Sequence, residues 1–118
     1  MSLLTPDDFA GRPYVAGLNQ GGHVALGAAI LGVLTTGFPV WLAVTIAAGG
    51  ILAWEAWQLL RKGATRADYR ADLAYWWAGV AGWAWLIDAG HVSDIGVFAP
   101  CGYVVAYCAE WTRQKVKQ

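Results

Sequence analysis

The stretch from Glu55 to Gly79, EAWQLLRKGATRADYRADLAYWWAG, constrains the fold most, because it gathers charge between two long runs that carry almost none. Arg61, Lys62, Arg66 and Arg70 fall within it, together with Glu55, Asp68 and Asp72. An apolar segment that ends on Arg61-Lys62-Gly63 places cations at the negative end of a helix dipole and a glycine at the C-cap. A second apolar segment then begins near Thr65 or Arg66, so the stretch reads as a helical hairpin. The flanking runs predict a bilayer as solvent. Charged residues make up 14% of the chain, against roughly 25% in soluble domains, and hydrophobic residues make up 58%. A soluble enzyme or a nucleic-acid binder is not expected. No segment could shed its apolar surface in water, and 8 cationic against 8 anionic side chains create no global field.

The sequence predicts an all-α chain: a four-transmembrane-helix bundle in a single integral membrane domain over 1–118. Its helices are expected at about 18–38, 39–60, 66–88 and 94–111, each near the roughly 20 residues that a crossing needs. A short interfacial helix precedes them, with Thr5 as N-cap, Pro6 in the first turn, and Asp7 and Asp8 at the positive dipole end. Gly11, Pro13 and Gly17 are read as its break. No cleavable signal peptide is read in the opening residues.

Small residues recur every fourth position: Gly21, Ala25 and Ala29 on the first segment, with Ala28 and Gly32 on a neighbouring stripe. Ala43, Ala47, Ile51 and Glu55 do so on the second, and Ala74, Ala78 and Gly82 on the third. Such stripes let helices approach closely in lipid, where packing rather than hydrophobicity drives association. Pro100-Cys101-Gly102 predicts a kink or a late start in the fourth segment. Cys101 and Cys108, seven apart, share a helical face and read as small apolar fillers, with no metal-ligand spacing.

Charge in the turns sets the orientation. The turns after the first and third segments lack Lys and Arg, whereas the middle turn is basic and Arg113, Lys115 and Lys117 follow the fourth segment. Cationic loops stay in the cytoplasm, so both termini are expected inside, in a multi-pass protein of the inner membrane. Arg61, Lys62 and Arg70 are topology signals that contact anionic lipid. Trp54, Trp57, Trp76, Trp77 and Trp111 are expected near the inner headgroup boundary and Trp41 near the outer one.

That orientation brings distant polar residues to one depth. His23 and Asn19 lie at the mouth of the first segment, Glu55 and Gln58 at the same mouth of the second, and Asp68 and Asp72 on one face of the third. Tyr107 and Glu110 reach the same level on the fourth. An ionisable residue at membrane depth needs a partner or a task. Two readings of His23 stay open: a metal ligand or proton relay with Glu55 and Asp72, or an imidazole hydrogen-bonded so as to lock two helices. Glu55 alternatively pairs with Arg61, Arg66 or Arg70, and Asp68 reads as a solvated acid at a helix start. The polar cluster comprises His23, Glu55, Gln58, Arg66 and Asp72; no metal ligand, cofactor or catalytic residue is assigned from the sequence.

At these positions the chain resembles the VanZ-like family of small polytopic membrane proteins. Asn19 and His23, four apart, precede Leu26-Gly27, and Glu55-Ala-Trp-Gln58 closes a later helix. Arg66, Asp72 and Gly79 follow at the family's spacing, while Trp76 stands where that family shows Asn and Asp68 lies beside the place of a further Asp. The resemblance covers roughly residues 19 to 82 and implies an integral membrane protein linked to glycopeptide tolerance and the cell envelope. A site of His23, Glu55, Arg66 and Asp72 could then take a lipid phosphate through Arg66 or an ion through the carboxylates. The alternatives are a holin-like oligomeric pore-forming lysis protein and a small accessory subunit of a larger membrane complex. Expected partners are membrane lipids, with homo-oligomers or a larger assembly left open, and no nucleic acid.

Overall fold

The structure, a computed structural model, describes residues 9–91 and 95–118. The described residues form four helices and no strand: α1 (Pro13–Leu34), α2 (Val40–Arg61), α3 (Arg66–Asp88) and α4 (Ile95–Val116). The all-α class and the helix bundle agree with the sequence expectation. The short helix expected around Thr5 to Asp8 lies outside the described residues.

Local chemistry sets most of the helix ends. Thr65 caps α3, its hydroxyl accepting a hydrogen bond from the Asp68 backbone N–H at 3.0 Å. Gly90, at φ +75°, turns the chain so that the His91 N–H reaches back to the Leu86 carbonyl at 2.9 Å, as in a Schellman ending. Gly63, at φ +77°, ends α2 in the same left-handed conformation.

Two boundaries differ from expectation. α1 begins at Pro13 rather than near Leu18, because Pro13 starts the helix instead of breaking it, and Gly17 lies inside. α4 continues through Pro100 and extends to Val116 rather than ending near Trp111. A proline so near the start removes a backbone bond in only one early turn, and Arg113 and Lys115 favour the helix's negative end. The expected basic tail is therefore largely helical.

α1 is the central helix, packed most extensively on α4 and α3, while α2 lies against α3. Glycine makes those contacts possible. A methyl group at Gly79 on α3 would collide with the Val24 carbonyl of α1, and one at Gly27 on α1 with the Trp76 carbonyl of α3. On the other side of α1, a methyl at Gly17 would stand 2.8 Å from the Tyr107 carbonyl oxygen, and one at Gly21 3.0 Å from that of Tyr103. Backbone thus meets backbone on both sides of α1.

The expected small stripe of α2 is its packing face: Ala43, Ala47, Ile51 and Glu55 are all buried. Those of α1 and α3 are met in part. Gly21 and Ala28 of α1 are buried as expected and Gly82 of α3 faces Phe98, whereas Ala29, Ala74 and Ala78 are exposed and burial falls also on Gly17 and Val24 of α1 and on Gly79 and Val80 of α3. Leu31, Ala43, Ala47, Ile51 and Val80 form the apolar core, with Leu73, Trp76 and Trp83 packed against it. Cys101 and Cys108 are exposed thiols rather than interior fillers, on the outward side of α4.

Around that apolar core the bundle exposes many large apolar side chains and buries several polar ones, unlike a typical water-soluble bundle. Val33, Trp41, Trp85 and Val105 are each at least 65% exposed, whereas Gln20, Glu55, Gln58, Asp68, Asp72, Glu110 and Gln114 are buried. Among the described residues one helix, Val40–Arg61, is long and apolar enough to cross a membrane. The others dilute their apolar runs: α1 with Asn19, Gln20 and His23, α3 with four charges between Arg66 and Asp72, and α4 with Glu110 and Arg113. The number of helices matches the expected four, while of the four spans expected only α2 is a candidate by length and composition.

Candidate functional site

Three helices contribute one side chain each to a buried cluster about two turns inside the hairpin end of the bundle. Glu55 belongs to the buried stripe of α2, Asp72 to the buried face of α3, and His23 to α1. An imidazole nitrogen of His23 and a carboxylate oxygen from each acid all lie within 4.8 Å of one another. The close approach of α1 to α3 at Gly27 and Gly79 sets this spacing, since both lie one to two turns beyond the cluster.

Gln20 and Trp76 orient the cluster. The Gln20 side-chain Nε2 donates to Asp72 Oδ1 at 2.5 Å, and its Oε1 faces His23 Nδ1 at 2.7 Å. An amide oxygen only accepts, so in this arrangement Nδ1 carries the proton and Nε2 keeps the lone pair. His23 Nδ1 also lies 3.5 Å from Asp72 Oδ1. The indole N–H of Trp76 donates to Glu55 Oε1 at 2.9 Å, while its ring stacks on the His23 imidazole with centroids 4.8 Å apart. Trp76 therefore bridges the base and one acid and closes the cluster toward the apolar core.

No Lys or Arg pairs with Glu55 or Asp72 among the described residues. The alternative expectation, that Glu55 pairs with Arg61, Arg66 or Arg70, is not met: all three are exposed. Arg66 opens α3 at the helix end, outside the group formed by His23, Glu55 and Asp72. Lys62 sits over the Trp57 ring at 5.2 Å from its centroid. Gln58 is buried one turn beyond Glu55. Asp68, expected to be solvated, is buried at the start of α3, because its first turn packs into the bundle.

Glu110 forms a neighbouring, self-contained group. Only 1% exposed, it accepts from Arg113 Nε at 2.8 Å and Nη2 at 2.5 Å and from Gln114 Nε2 at 3.0 Å. Glu110 is thus paired within α4, whereas Glu55 and Asp72 have no Lys or Arg partner among the described residues.

Sequence reasoning placed Asn19 beside His23 and missed Gln20. The usable signal was Gln20's position three residues before His23, on the same helical face. Trp76 was read as a departure from a family pattern, whereas its N–H gives Glu55 a donor. Comparison with protein-family models, with curated proteins and with solved structures finds no match.

Proposed function

We propose that the chain is a membrane-embedded four-helix protein of the cell envelope, VanZ-like in character. Its working part is the polar cluster of His23, Glu55 and Asp72, set at the depth of the inner membrane boundary and called the pocket below. The observation that carries this reading is the convergence of those three side chains within 4.8 Å, inside a bundle whose outer surface is apolar. Polar groups inside and large apolar groups outside suit a hydrocarbon solvent. α1, α2 and α4 have 22 residues each and α3 has 23, so each is roughly 33 Å long, enough for a hydrocarbon core of about 30 Å. The apolar outer surface supplies for α1, α3 and α4 what their overall composition dilutes.

In this reading the basic hairpin faces the cytoplasm and holds anionic lipid, with Arg61, Lys62, Arg66 and Arg70 exposed at its rim. The pocket behind them takes an ion or a lipid phosphate group. Expression in a glycopeptide-sensitive host is expected to raise tolerance to the antibiotic. His23→Ala and Asp72→Asn are expected to abolish that effect while the protein still inserts and accumulates in the membrane. Full tolerance in both variants would remove the pocket from the function. An abrupt loss of membrane potential on induction would instead favour an oligomeric pore.

A further inference from the structure

We infer that His23, Glu55 and Asp72 bind one divalent transition-metal ion, of the Zn2+ or Mn2+ type, between α1, α2 and α3. The inference rests on the pocket assigned above and names what it holds.

The cluster has the donor set for such an ion. One imidazole and two carboxylates offer mixed nitrogen and oxygen ligands, which favour first-row transition ions over Mg2+ or Ca2+. The atoms already converge within 4.8 Å. Around an ion held at about 2.0–2.2 Å, neighbouring donors sit roughly 3–4 Å apart, so side-chain shifts of about 1 Å complete the site.

A second, independent observation is the set of orienting partners. Gln20 holds His23 Nδ1 and Asp72 Oδ1 together, and Trp76 holds Glu55 Oε1. Ligands of a metal are held in this way: a hydrogen bond to one ring nitrogen fixes the tautomer and aims the other. The lone-pair nitrogen of His23 is then the ligand.

Charge gives the third argument. Glu55 and Asp72 are 2% and 7% exposed, come from different helices, and have no Lys or Arg partner among the described residues. A buried carboxyl is paired, held protonated or bound to a metal, and a divalent ion displaces the proton and keeps both acids ionised. The exposed cations of the hairpin stay at the rim, and Arg113 is already engaged by Glu110. A divalent ion supplies what the fold withholds. With three protein ligands it keeps at least one position open for water or a phosphate oxygen, the arrangement of reactive rather than purely structural centres.

The test uses the full chain in detergent micelles, stripped with a chelator and titrated with Zn2+, Co2+ or Mn2+ alone. One ion per chain is expected, and Zn2+ should move the imidazole nitrogen resonances of His23 while leaving those of His91, the chain's other histidine, in place. Glu55→Gln and Asp72→Asn should each weaken binding at least tenfold, and Gln20→Ala by about 10–100-fold, with Asp88→Asn unchanged. Three results overturn the inference: no uptake at millimolar metal, a shift of His91 instead of His23, or unchanged affinity in both carboxylate variants. If a variant fails to fold, the His23 resonance of the unaltered chain decides the question. Absence of binding in a chain that still confers tolerance through His23 would sink the metal and spare the pocket. Binding in a chain that confers no tolerance would do the reverse.

Discussion

Replacing Gly79 by alanine probes the contact on which the site is built. The added methyl would overlap the Val24 carbonyl oxygen and stand 2.9 Å and 3.0 Å from the Val24 carbonyl carbon and Cα. All three are backbone atoms within a helix, so no rotamer change relieves the overlap. α1 must withdraw from α3 by roughly 1 Å to restore van der Waals separation. Alanine gains about 1 kcal/mol over glycine in a helix interior. Overpacking costs typically 1–3 kcal/mol, and a clash between two backbones belongs at the upper end, so a net loss of about 2 kcal/mol is expected. The displacement also reaches the site. Val24 adjoins His23, and Asp72 lies two turns before Gly79, so the 3.5 Å His23–Asp72 separation and the Gln20 bridge open together. Unfolding by sodium dodecyl sulfate, followed by circular dichroism, measures the stability, and the His23 imidazole resonances report the local effect. Gly49→Ala is the control. Its methyl would meet nothing within 4 Å, so it should be neutral or stabilising by up to about 1 kcal/mol. Equal stability of the two variants, with His23 undisturbed, would refute the close approach of α1 and α3.

Three further outcomes are expected. Trp76→Phe removes the donor to buried Glu55 and should cost about 1–3 kcal/mol in the same titration. Trp77→Phe should cost less, since that indole only reaches the Ala48 carbonyl at 3.4 Å on an exposed face; equal losses would contradict the Trp76–Glu55 bond. Arg113→Ala strips the 1%-exposed Glu110 of two hydrogen bonds and should destabilise by more than the ~1 kcal/mol of an ordinary exposed pair. Adding Glu110→Gln should recover part of that loss, and a fully additive double variant would show the pair to be uncoupled. On the proposed topology, with the hairpin in the cytoplasm, replacing Arg61, Lys62, Arg66 and Arg70 together by glutamine should weaken its retention there. A Thr65→Cys probe in a background lacking Cys101 and Cys108 reads this as a gain of labelling from outside intact cells, and unchanged labelling would remove these cations from the topology argument.

Much of the helical framework was legible residue by residue. Gly63 announced the end of α2 and Thr65 the start of α3, and the period of Ala43, Ala47, Ile51 and Glu55 identified the buried face of α2. Charge placement also put His23, Glu55 and Asp72 at one depth, where the structure brings them together. The neighbouring stripes were legible only in part. On α3 the row Ala74, Ala78 and Gly82 looked suited to packing, yet only Gly82 of the three approaches a neighbour, the Phe98 ring of α4, while Gly79 makes the backbone contact with α1; small residues alone do not say which row faces which helix.

The sequence by itself determined four helices, their approximate ends, a basic hairpin and a chain dominated by apolar surface. Those properties come from caps, turns and local composition, which act over a few residues. Only the tertiary structure decided that Gln20 rather than Asn19 would hold the imidazole, that Trp76 would serve Glu55, and that Arg66 would stay outside the group. Each depends on the rotation of one helix against another, and that rotation is set by backbone contacts between residues some 50 positions apart, as at Val24 and Gly79.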